Sequence, residues 1–295
     1  MTLDASARFI QQVGEPFAER IVAVEGRGKA LSLALKSGMR LVEAVAQAFM
    51  QAGFMGGVVN VGGLHLDRFS YVMPALSQDG ANAAFYSDVY RPQGVIVLES
   101  GCMSFGRRDD APFFHCHALW LESDGLTHGG HILPDDVILA HDQTVTAFGF
   151  DGGIFEANPD RETNFKLFGP VKLPQHLHED KSLQSCYLLR LRPNQDLHHA
   201  LEQFCLSHRL GHTRIWGGVG STIGGRFVDG TSLNAFATEV FIRDGRINQR
   251  AVSLYQADID VGYVDYLGQI ARGPMKRGDS PVLMTFELLL EPLTS

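Results

Sequence analysis

The feature that most constrains this chain is that it repeats itself. With a shift of 156, Leu31–Leu64 runs beside Tyr187–Gly220 without a gap, and Leu33, Leu35, Leu41, Ala44, Gln47 and Gly62 recur as Leu189, Leu191, Leu197, Ala200, Gln203 and Gly218. Six identities over 34 positions would mean little alone, but the order of local structure recurs as well. Each copy leads from a short apolar run through a turn (Lys36-Ser37-Gly38, Arg192-Pro193-Asn194) into a segment of helical spacing. Leu41, Val45, Ala48 and Phe49 mark one helix face, and Leu197, Leu201 and Phe204 the other. A Gly-rich strand entry follows each, Gly56–Gly63 and Ile215–Gly220.

A duplication in 295 residues predicts two domains of ordinary size. Short strands between Gly and Asp turns fill most of both halves: Gly94–Leu98, Phe113–Leu121, Leu126–Leu133, Gln143–Phe150, then Ala237–Ile242, Ala251–Tyr255 and Val282–Leu290. One helix among antiparallel strands is an α+β domain, here in tandem. Glu156–Ser182 holds three prolines and no sustained period, as a connector would. The expected organisation is an N-terminal extension over 1–27, a first domain over 28–175 and a second over 176–295.

Charge and composition exclude some functions. Asp plus Glu number 33 against 25 Lys plus Arg, a formal charge of −8, which argues against a surface made to neutralise phosphates and so against DNA as a partner. The N-terminus has no basic segment followed by an apolar one, and no run reaches the ~18 apolar residues of a membrane span. Cys102, Cys116, Cys186 and Cys205 form no Cys-x-x-Cys pair, so reduced thiols in a cytoplasmic protein are expected.

The chemistry concentrates in one block, Phe113-Phe114-His115-Cys116-His117 through Asp124-Gly125 to Gly129-Gly130-His131. Alternation on a strand turns His115 and His117 to one face and Cys116 to the other. Asp124-Gly125 signals a hairpin. With a three-residue loop, Ser123–Gly125, Glu122 pairs with Leu126 and His131 falls opposite His117, so three imidazoles converge; a two-residue loop would set His131 against Ala118 on the far face. Three neutral imidazoles match a zinc or iron site with open positions. Otherwise they are strand residues satisfied by backbone. His128 and His141 read as turn or surface residues, His141 being the better spare ligand. Matching Leu119 to Leu254 and Gly130 to Gly268 gives Arg250, Val252 and Gln269 as second-half counterparts, none able to replace an imidazole ligand.

These residues resemble the plants-and-prokaryotes-conserved (PPC) domain, whose members carry a His-x-His strand, an Asp-Gly turn and Gly-Gly-His. The resemblance is good over about 28–150 and weaker over about 185–292, through Gly217–Gly220, Ala237–Val240 and Met284–Leu288. It implies a compact α+β domain with a mainly antiparallel sheet, trimeric association, and in some prokaryotic members a metal held by these histidines. A homotrimer of two-domain chains is therefore expected. Plant members bind DNA through an Arg-Gly-Arg-Pro hook; Gly26-Arg27-Gly28-Lys29 lacks its second Arg and its Pro.

Other signals are weaker. Gly218–Gly225 lacks nucleotide-loop spacing and reads as a turn, so no organic cofactor is expected. His176-x-His178 and His198-His199 read as surface residues. Cys102 has nothing nearby in sequence to activate it. Glu99 and Glu239, carboxylates in apolar surroundings, are the acid–base candidates. Arg107, Arg108 and Arg226 are candidates for orienting a carboxylate, although Arg107–Asp110 reads better as a solvated loop. The expected function is that of a metal-dependent, first of all zinc-dependent, enzyme acting on a small molecule, a carboxylate-bearing one among the candidates, by hydrolysis or a lyase/hydratase step. The alternative is a non-catalytic ligand-binding or DNA-binding regulator with a structural metal. An open coordination position marks the first, and a fourth protein ligand the second.

Overall fold

The computed structural model describes residues 8–122, 124–174 and 182–293. His176, His178, Ser123 and the expected 175/176 boundary lie outside the described residues. The fold is mainly antiparallel sheet with two α-helices, Leu41–Gln51 and Leu197–His208. Both helices bury the faces their periodicity marked, Leu41, Val45, Ala48 and Phe49 in one and Leu197, Leu201 and Phe204 in the other. The second starts where the Asp196 side chain accepts from the His199 backbone N–H at 3.0 Å. It buries His198, which the sequence reading had placed on the surface; burial lowers that imidazole's pKa. No described helix is long and apolar enough to cross a membrane.

The duplication is visible residue by residue in strand register. Leu33 pairs with Val145 as Leu189 pairs with Leu288, and Val59 with Ala147 as Ile215 with Leu290. In the hairpin that carries the histidines, His117 faces His131, and the same place in the second half is Asp260 facing Pro274. The second-half counterparts of His115, His117 and His131 are thus Asp258, Asp260 and Pro274. Arg250, Val252 and Gln269 are not the counterparts: Ala251–Tyr255, expected to be a strand, instead brackets the turn at 252–253 that joins Ser232–Ala251 to Leu254–Asp265. Unlike Arg, Val and Gln, the two aspartates are of a metal-ligating type, but Asp260 pairs with Arg243 at 3.0 Å and Asp258 lies 4.0 Å from Arg250, and no imidazole stands at these places.

The two halves share one sheet. Ile21–Leu35 pairs with Gln143–Asp151 along its second part and with Gln184–Leu191 along its first, so the halves are stitched by main-chain hydrogen bonds. The expected connector is in fact a hairpin, Gly153–Asp160 with Phe165–Lys172, turning at Asn164 in the left-handed region. Its apolar residues Phe155 and Phe168 pack with Phe148, Phe150 and Leu188, which explains why a segment without a clean period is ordered. Arg107–Asp110 is likewise no open loop: Asp109 and Asp110, both at positive φ, make the two-residue turn between Ile96–Arg108 and Ala111–Leu121. Gly218–Gly225, expected to be a turn, lies inside the strand Thr213–Arg226.

Gly106 is where the 153–172 hairpin meets the histidine-bearing sheet, in a short parallel pairing with Phe155. A Cβ there would stand 1.9 Å from the Phe155 carbonyl oxygen. Gly106→Ala is therefore expected to part these strands at a cost of about 1–3 kcal/mol, read as a lowered urea midpoint; an unchanged midpoint would contradict the pairing.

Candidate metal centre

His115 and His117 lie on Ala111–Leu121 and His131 on Thr127–Ile132. The Glu122 N–H donates to the Leu126 carbonyl at 3.1 Å, and His117 faces His131, so the three-residue register is the one adopted. Cys116 points the other way into the first-half core with Phe114, Ala118 and Trp120. His115 Nε2 is 3.0 Å from His117 Nε2, which is 3.2 Å from His131 Nδ1. Glu239 comes from the second half to place Oε2 2.8 Å from His117 Nε2. One donor atom from each of these four residues fits within a 4.8 Å spread.

The outer hydrogen bonds fix which nitrogens face inward. His115 Nδ1 lies 2.6 Å from Glu287 Oε2, an acceptor, and His117 Nδ1 lies 2.9 Å from the Val240 carbonyl oxygen. When neutral, each ring must carry its proton on Nδ1 to make these bonds, which leaves both Nε2 lone pairs facing one another. Such an arrangement is repulsive unless a proton or a metal cation lies between them. Carboxylate or carbonyl groups behind the ligating histidines are also the usual means of orienting imidazoles on a metal.

Charge leads to the same place. The Glu287 side chain is fully buried and that of Glu239 is 8 % exposed. Two carboxylates out of water need compensation. Burial by itself would lower the pKa of His117, but the adjacent Glu239 carboxylate and its hydrogen bond outweigh it and the net direction is up. His131 goes well down, through burial and then the neighbouring His115 and His117. Without an ion, these directions favour a proton on His117 over one on His131. A divalent cation would offset the charge of both carboxylates. A tetrahedral ion with bonds of ~2.0–2.2 Å separates its donors by roughly 3.3–3.6 Å, so the contacts of 2.8–3.2 Å would open by roughly 0.1–0.8 Å and the wider pairs within the 4.8 Å spread would close. The donor set fits a transition metal, with His115, His117 and His131 to hold it and Glu239 beside them as a fourth donor or a base.

Glu99 is not among these groups. It sits at a register shift beside Leu98 and Ser100 and pairs with Arg272 at 3.2 Å in an exposed position. His128 is held by Asp124 at 3.0 Å on the hairpin rim, and His141 stacks loosely on His65. Cys102 is buried, and desolvation pushes its thiol up to about 12, so it is a protonated packing residue. Arg107 pairs with Glu156, Arg108 with Asp109, and Arg226 donates to the Gly225 and Leu233 carbonyls.

Sequence reasoning missed Glu287 and Tyr86. Glu287 interrupts the apolar run Val282–Leu290, and an isolated carboxylate in a wholly buried strand is a readable signal of a partner. Tyr86 gave none: it belongs to a separate two-stranded sheet, Pro74–Leu76 with Ala84–Tyr86, and its ring centroid stands 5.1 Å from that of His131. Burial, then the Glu239 and Glu287 charges, hold its phenol well above its ordinary pKa. A cavity of about 40 Å³ opens beside the donors, lined by His115, Glu239 and Tyr86 together with Phe165, Ala237 and Met284. That is room for a few water molecules.

No family model and no curated protein matches the chain. Solved structures similar to it include a plant- and prokaryote-conserved (PPC) protein of Pyrococcus horikoshii, at 18% identity and TM-score 0.39, matched over 51% of this chain and 97% of that one. Another is a metal-containing protein of Archaeoglobus fulgidus, at 22% identity and TM-score 0.39, matched over 50% of this chain and 97% of its own. Each match spans about half of this chain.

Proposed function

We propose that the chain is a metal-dependent enzyme whose ion, zinc in the first instance, is held by His115, His117 and His131 of the first half and approached by Glu239 of the second. The observation that carries the reading is the pair of Nε2 atoms 3.0 Å apart whose Nδ1 atoms are both committed to outward acceptors. The cavity along His115 and Glu239 gives a small molecule a way in. When bound, a divalent ion supplies Lewis acidity and a nucleophilic water at neutral pH. The chain's residues do the rest. Glu287 and the Val240 carbonyl hold two rings in place, and Glu239, on the cavity side, accepts and returns a proton as general base, as hydrolysis or a lyase/hydratase step requires. The enzyme works as a cytoplasmic homotrimer.

A second reading rests on the 2.8 Å approach of Glu239 to His117. Here Glu239 closes the coordination shell and the ion is structural, a clamp between halves in a ligand-binding regulator. Glu239→Gln separates the two. In the enzyme, the variant retains its metal within about tenfold in affinity and loses about 100-fold or more in turnover of small esters or lactones. Metal lost from the variant, with no turnover by the parent, would leave the structural reading standing.

A further inference from the structure

The walls of the cavity say more about its occupant than the donors do. None of the lining residues is Lys or Arg. The arginines that might have received a substrate carboxylate are each engaged elsewhere, Arg107 by Glu156 and Arg226 by backbone carbonyls. The cavity's polar side is acidic, with Glu239 on its lining and Glu287 behind His115. Its other sides are uncharged: Phe165 from the 153–172 hairpin, Phe85 from the small two-stranded sheet, and Ala237 and Met284 from the second half, together with the neutral hydroxyls of Ser221 and Thr238. The two hairpins stand outside the repeated strands and helices, between Gly57–Asn60 and Ile96–Arg108 in one case and between Gln143–Asp151 and Gln184–Leu191 in the other. They turn one copy of a duplicated scaffold into a walled site.

We infer that this site, taken as the metal centre proposed above, accepts a small acyl compound with one oxygen-donor head for the ion and a short, uncharged, aliphatic tail for the cavity, and that it rejects dicarboxylates and phosphorylated molecules. A second anionic group would be buried against Glu239 with neutral hydroxyls but no cationic side chain on the described lining to balance its charge. An apolar tail gains about fourfold in affinity for each methylene it buries. About 40 Å³ admits roughly three heavy atoms of tail.

The test uses full-length protein loaded with zinc, its metal content measured in the same preparation, titrated calorimetrically with straight-chain hydroxamates, whose heads chelate metal. Affinity is expected to rise about fourfold per carbon from aceto- to butyrohydroxamate and to fall by octanohydroxamate. The monohydroxamate of succinic acid should bind at least about tenfold more weakly than butyrohydroxamate. In Met284→Ala, and independently in Phe165→Ala, the preferred tail should lengthen by one or more carbons. Full metal content with affinity flat along the series, or with the succinate compound binding best, overturns the assigned substrate class and leaves the metal centre in place. A chain that takes up no zinc overturns both.

Discussion

Replacing Asp160 by Asn is expected to cost about 3–5 kcal/mol of stability, the range for breaking a buried ion pair and leaving charge behind. The Asp160 side chain is 2 % exposed, and its Oδ2 accepts from Arg190 at 2.7 Å and from Arg192 at 2.8 Å. Its Oδ1 accepts from the backbone of Glu162 and Thr163 and from the Thr163 hydroxyl. An amide keeps the shape, but it leaves two guanidiniums, 7 % and 10 % exposed, without their shared anion. For a chain of this size the melting temperature should fall by roughly 5–15 °C. Burial alone would raise the Asp160 pKa, but Arg190 and the hydrogen bonds prevail and the net direction is down. A depressed carboxylate stabilises the fold above its unfolded pKa of about 3.9 and loses that contribution as pH falls through its lower native value. The gap between parent and Asn variant should accordingly be full at neutral pH and narrow in acid. Equal denaturant midpoints at pH 7 would show that this buried network does not hold the halves together.

The network also reaches the metal centre. Arg190 Nε donates to the Thr285 hydroxyl at 3.1 Å, that hydroxyl donates to Glu287 Oε1 at 2.8 Å, and Glu287 Oε2 meets His115 Nδ1. Residues from both halves and from the hairpin between them therefore orient one imidazole.

His117→Ala has the second large effect, and it acts on two properties at once. His117 is 1 % exposed and touches His115, His131, Glu239 and the Val240 carbonyl. Removing it takes away the central donor, so zinc affinity should drop by more than about 100-fold, beyond the loss typical of an outer partner. It also leaves the Val240 carbonyl and the Glu239 carboxylate without their partner at the junction of the halves, at a cost of about 1–3 kcal/mol in the metal-free chain. Zinc should raise the parent's melting temperature and leave that of the variant unmoved. Because an imidazole ligates in its neutral form and the His117 pKa is raised in the metal-free chain, uptake by the parent should release protons. Equal zinc-induced shifts in parent and variant would remove His117 from the centre.

Much of this arrangement was legible in the chain, for reasons that also mark where reading stops. The duplication, the helices and the histidine hairpin are local patterns, and one turn, Asp124-Gly125 with a three-residue loop, was enough to decide whether His131 joins His115 and His117. The strand Leu254–Asp265 was missed because its outward residues Asp258 and Asp260 read as turn formers; its inward set, Tyr255, Ala257, Ile259, Val261 and Tyr263, holds period 2 throughout. The 153–172 hairpin was missed because its burial depends on aromatic contacts with strands distant in sequence. Nothing local could show that Glu239 and Glu287, more than a hundred residues past the histidine hairpin, would arrive beside His117 and His115. Only the shared sheet brings them there. Glu99 and Glu239 looked alike as carboxylates among apolar neighbours, yet one meets Arg272 in solvent and the other faces three imidazoles.

Two halves of one chain bring three imidazoles and a carboxylate to one candidate metal centre. The decisive measurement is the metal content of untagged protein beside a His115→Ala/His117→Ala double variant. The parent is expected to carry close to one divalent transition-metal ion per chain, and a variant that still unfolds cooperatively a small fraction of that. A parent that is folded, free of metal and unchanged by added zinc would contradict this metal centre.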